Sequence, residues 1–151
     1  MELRPWQRNS LSVLVIAVGA YVLLLAAFLV YALLINGAIS LFNLPDGGLV
    51  HPIGRIVLTI LLYLATWAVL RSALPVLVKA TALTLPLMVT VVMAGIFLHA
   101  QPLLVNIFAG ALIIGAVAVY LSVKKLSWKY WFATGYVAAL ALAMVVFQVE
   151  I

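Results

Sequence analysis

Residues 11–35 read LSVLVIAVGAYVLLLAAFLVYALLI, a run without a single charge. A helix rises 1.5 Å per residue, so about 20 apolar residues cross the ~30 Å hydrocarbon layer of a bilayer. This run is long enough to cross. It is also too long for the apolar region of a cleaved signal peptide, which has about 7–15 residues. It therefore reads as a retained anchor, and it names the solvent of the chain as lipid.

The rest of the sequence agrees. Of 151 residues, 69% are hydrophobic and 7% are charged; a soluble domain has about 45–50% and about 25%. Further apolar runs cover residues 52–70, 76–98, 102–123 and 128–149. They are continuous rather than alternating, which selects helices over a β-barrel. Pro52 and Pro102 fall where a first helical turn tolerates proline, and Pro75 falls in a short connection. The expected fold is an all-α integral membrane protein. It is a single domain over 1–151, a compact bundle of five transmembrane helices. One sizeable loop, 36–51, joins the first two, with Pro45 and Gly47–Gly48 forming its turn.

Lys and Arg positions set the orientation. With the N-terminus inside, Arg4, Arg8, Arg71, Lys79, Lys124, Lys125 and Lys129 all fall on the cytoplasmic side, and only Arg55 falls outside. The expected orientation is N-in and C-out, in the plasma (inner) membrane. Trp6, Trp128, Tyr130 and Trp131 fit an aromatic belt at the inner interface. The net charge of +5 is spread over the ends of the spans, so it indicates topology and no nucleic-acid partner.

The richest cluster is on span two. Arg55, Thr59, Tyr63 and Thr66 are spaced by four, four and three, which places them in one narrow helical stripe. His51 stands one turn above Arg55. One reading is a hydrated groove in which Arg55 and His51 attract an anionic head group or ligand. The plainer reading has the threonines bonded to their own helix, Tyr63 paired with a neighbouring helix and Arg55 reaching to the head groups. On span three, Pro86 cannot serve the carbonyl of Ala82, which kinks or loosens the helix. Thr81, Thr84 and Met88 share one face there, and Lys79, Pro86 and Thr90 share roughly the opposite one. Such a helix is expected to be surrounded by protein, or to offer the freed carbonyl to a substrate or ion.

Small residues recur at helical spacing as Ala111, Gly115, Ala118 and Ser122 on span four, and as Gly135, Ala139 and Ala143 on span five. They serve either the bundle or association with other membrane proteins or a second copy. Asn106 reads as an interhelical hydrogen bond. Lys124, Lys125, Trp128 and Lys129 form a cytoplasmic lipid anchor. His99 beside Gln101 is a weak metal candidate, and no metal or other cofactor is expected.

Several chemistries lack their groups. There are no cysteines, and the three acidic residues, Glu2, Asp46 and Glu150, all lie outside the spans. Carboxylate-coupled transport and paired-carboxylate hydrolysis are thereby disfavoured. The leading expectation is a non-catalytic subunit that binds lipid or protein and assembles or stabilises a membrane complex. The alternative is a small oligomeric transporter or channel component with a polar pathway along span two and the kinked span three. A lipid-modifying enzyme using His51 and Arg55 is a third, weaker reading.

Overall fold

A computed structural model describes residues 5–43, 50–98 and 101–146. They form five helices: α1 (Pro5–Phe42), α2 (Val50–Arg71), α3 (Val76–Phe97), α4 (Leu103–Val123) and α5 (Trp128–Val146). No strand occurs among the described residues. Helices α1 to α4 are long and apolar enough to cross a membrane, which makes this a membrane protein. Helix α5 is 19 residues long. It opens on Trp128, Lys129, Tyr130 and Trp131 and is not among those four.

Helix α3 is the centre of the bundle. It packs against each of the other helices, whereas among the described residues α2 touches only α1 and α3, and α4 only α3 and α5. The sequence of α3 explains this position. Ala80, Thr81, Thr84, Pro86, Leu87 and Met88 are all buried, and these mostly small or short side chains admit neighbours on more than one face. Helices in lipid gain little from the hydrophobic effect against one another, so close contact and hydrogen bonds must hold them. Gly19 of α1 supplies such a contact. A Cβ there would lie 2.8 Å from Cγ2 of Thr81, so only glycine lets α1 and α3 approach this closely.

Two core layers stack along the bundle. One joins Ile16, Ala80, Leu121, Tyr130 and Ala133, and the next joins Ala20, Leu87, Met88 and Val137. Ile16 to Ala20 and Ala133 to Val137 are single-turn steps, so α1 and α5 each present one face to α3. Leu70, Leu77 and Leu126 pack on the first layer. Arg71, Lys79, Lys124, Lys125 and Lys129 are their near neighbours in sequence and therefore gather at this end of the bundle.

Two departures from the sequence expectations have physical causes. Helix α1 runs past Ile35 to Phe42, and α2 begins at Val50, so much of the expected loop 36–51 is helical. Asn36 and Gly37 suggest a stop, but one interior glycine weakens a helix by only about 1 kcal/mol. Ala38, Ile39, Leu41 and Phe42 then continue it. The stop comes at Asn43, with φ 47°, a left-handed conformation that asparagine tolerates. The expected Pro45–Gly48 turn lies outside the described residues, as does His99. Tyr130, expected in the aromatic belt, is 6% exposed and sits in the first core layer. It shares a helical face with the buried Ala133, Thr134 and Val137. Trp6, Trp128 and Trp131 are exposed, as a belt requires.

The α4–α5 connection is closed by a Schellman motif. The Leu126 N–H donates to the Leu121 carbonyl at 3.1 Å and the Lys125 N–H to the Ser122 carbonyl at 3.1 Å. The motif holds Lys125 at φ 48°.

Candidate functional site

The polar stripe of α2 faces α3, and its hydroxyls are engaged. Thr59 Oγ1 donates to the Arg55 carbonyl at 2.8 Å. Tyr63 Oη lies 2.6 Å from Thr90 Oγ1, and Thr90 Oγ1 donates to the Pro86 carbonyl at 2.7 Å. Thr66, which is buried, points its hydroxyl at the Ala82 carbonyl at 3.5 Å. That carbonyl is the one Pro86 cannot serve, because proline has no N–H. In hydrocarbon a freed carbonyl must find another donor, and α2 supplies a long hydrogen bond to it. On α3, Thr81 donates to Leu77 O at 3.0 Å and Thr84 to Thr81 O at 2.6 Å. The stripe and the proline thus form one packed seam between α2 and α3.

Arg55 is the exception. Its side chain is half-buried and lines a cavity of about 210 Å³ between α1, α2 and α3. Leu24, Phe28, Leu58, Met93 and Ile96 contribute apolar walls, and Tyr31 is the other polar side chain there. The Tyr31 hydroxyl lies 3.4 Å from both Nδ1 and the backbone oxygen of His51. Gly54 leaves room here for the end of the Ile35 side chain, which a Cβ at that position would displace. The structure therefore brings His51 and Arg55 together with α1. Thr59 bonds its own helix, Tyr63 and Thr66 turn to α3, and Thr81, Thr84 and Pro86 belong to the core. Tyr31, Met93 and Ile96 carried no sequence signal. Their role arises from helix pairing, which periodicity does not specify.

At the opposite end, Lys124 and Lys125 are exposed and Lys129 is half-buried. Trp128 borders an open recess of about 400 Å³ with Asn9, Ser10 and Val13. At the end of α2 the Arg71 guanidinium stacks on Trp67, 4.2 Å from the ring centroid, a cation–π contact within the helix. Asn106 Nδ2 on α4 donates to the carbonyl of Leu98, the residue that caps α3, at 3.2 Å, so the bond closes the α3–α4 connection. Asn106 Oδ1 is buried with no partner among the described residues. No group of three or more His, Cys, Asp or Glu able to hold a metal occurs among the described residues. No family model, curated protein or solved structure matches this chain.

Proposed function

We propose that the chain is a non-catalytic lipid-binding membrane protein. It spans the membrane five times, N-in and C-out, in the plasma (inner) membrane, and assembles or stabilises a membrane complex. The observation that carries this reading is the cavity between α1, α2 and α3. Its walls are apolar and its polar groups are few and gathered at one end, the character of a site for an amphiphile. The basic helix ends collected at the opposite end support the orientation. The pairing of α5 with α3 and α4 supports its depth in the membrane.

The assembly role has separate support. Gly115 and Gly135 face outward, and a Cβ on either would meet nothing within 4 Å. Ala111 and Ala139 are exposed beside them. These small residues leave the faces of α4 and α5 open to the backbone of another helix. The transporter or channel reading needs polar groups that face water along α2 and α3. The hydrogen bonds of Thr59, Tyr63, Thr66, Thr84 and Thr90 favour the binding reading over it.

Purification in mild detergent followed by mass spectrometry tests the reading. Retained lipid and stoichiometric membrane-protein partners are expected. A homo-oligomer free of lipid, with a wet central path, would contradict it.

A further inference from the structure

We propose that the cavity beside Arg55 is a site for an anionic phospholipid from the leaflet on that side. The phosphate sits on the Arg55 guanidinium and one acyl chain lies between α1, α2 and α3. This rests on the lipid-binding reading above and adds the charge of the head group and the place of the chain.

Three observations converge. First, Arg55 is half-buried against apolar walls and has no hydrogen-bond or ion-pair partner among the described residues. An unpaired charge removed from water is unfavourable. Two oxygens of a phosphodiester match its fork of donors. None of the three acidic residues of the chain lies among the described residues, and a phosphodiester supplies the counter-ion that the described neighbours of Arg55 do not.

Second, the cavity is elongated along the helices. On α1 its lining runs from Leu24 to Tyr31 and on α3 to Met93 and Ile96. Seven residues of helix rise about 10 Å, so the space descends from Arg55 far enough to take the head-group-proximal part of one acyl chain. Third, Phe28 lines the cavity and is also 54% exposed. The space therefore reaches the outer surface of the bundle, where lipid stands. A small soluble anion would use Arg55 and leave the apolar length empty.

The test uses the full chain in nanodiscs of phosphatidylcholine containing a minor share of phosphatidylglycerol, read by native mass spectrometry. The wild type is expected to retain one phosphatidylglycerol about tenfold over phosphatidylcholine, the scale of one charge-assisted contact. Arg55→Gln should abolish the preference, and Met93→Trp, which fills the cavity and leaves the charge, should expel the lipid. Circular dichroism confirms that both variants remain helical, and if Arg55→Gln does not fold, Met93→Trp decides alone. Retention of both lipids alike by the wild type would overturn the proposal while leaving lipid binding standing. An anionic preference that survives Met93→Trp would overturn it in favour of the lysine end. Displacement of the lipid by millimolar inorganic phosphate would overturn it in favour of a soluble anion. Retention of no lipid at all would end both readings.

Discussion

The phenol oxygen of Tyr63 on α2 lies 2.6 Å from the hydroxyl oxygen of Thr90 on α3. Thr90 has one hydroxyl proton, and the Pro86 carbonyl at 2.7 Å receives it. Tyr63 is therefore the donor, and a two-step chain runs from α2 into the backbone of α3 beside its proline. Tyr63→Phe and Thr90→Val should each destabilise the bundle. In a double-mutant cycle read by unfolding in mixed detergent, their coupling should be about 0.6 kcal/mol and no more than about 1.7 kcal/mol. Strict additivity would remove the bond from the account.

Thr66 and Pro86 should also be coupled. Thr66→Val removes the donor that reaches the Ala82 carbonyl. Pro86→Ala restores the backbone N–H that would serve the same carbonyl. Thr66→Val is thus expected to be less damaging in a Pro86→Ala background, by about 0.5 kcal/mol in the same assay. An equal loss in both backgrounds would show that Thr66 acts through packing alone.

Glycines in close contact and glycines on open faces should respond in opposite ways. Gly19→Ala drives a methyl group into Thr81, a buried and β-branched neighbour with little freedom to move. It should destabilise by about 1–3 kcal/mol. Gly115→Ala meets nothing within 4 Å and should be neutral or stabilise the isolated chain by up to about 1 kcal/mol. If Gly115 sits at an interface with another helix, the larger Gly115→Ile should reduce association in a chemical cross-linking assay while leaving thermal unfolding of the monomer unchanged.

Lys125 holds a left-handed conformation at φ 48° in the Schellman motif after α4. Lys125→Gly relieves that strain and should raise stability by up to about 1 kcal/mol. A loss of stability of that size would mean that the charge of Lys125 at the membrane surface outweighs its backbone conformation.

The helices were legible because apolar length alone marks them: the runs 52–70, 76–98 and 102–123 lie within about two residues of α2, α3 and α4. The α1 boundary was not, because Asn36 and Gly37 look like a stop that the apolar residues beyond them override. The central place of α3 could be read from its small and polar faces. The partner of each hydroxyl on α2 could not, because spacing puts Arg55, Thr59, Tyr63 and Thr66 on one stripe without saying which helix the stripe meets. The stripe in fact divides. Thr59 bonds its own helix, Tyr63 and Thr66 reach α3, and Arg55 turns into the cavity with Tyr31 and Met93. Those last contacts depend on how three helices pair, and no local pattern encodes that.

The central claim is that this cavity holds a lipid chain and not a water path, and the absence of native cysteines makes it directly measurable. Met93→Cys places a thiol in the cavity wall, and Gln101→Cys, at an exposed position in the α3–α4 connection, serves as a reference. A charged, membrane-impermeant thiol reagent is added to intact membranes from the Arg55 side. The thiol at position 101 should label rapidly. The thiol at position 93 should stay unlabelled until lipid is stripped by detergent, then react. Equal and rapid labelling of both in intact membranes would contradict the account and put a hydrated pathway in its place.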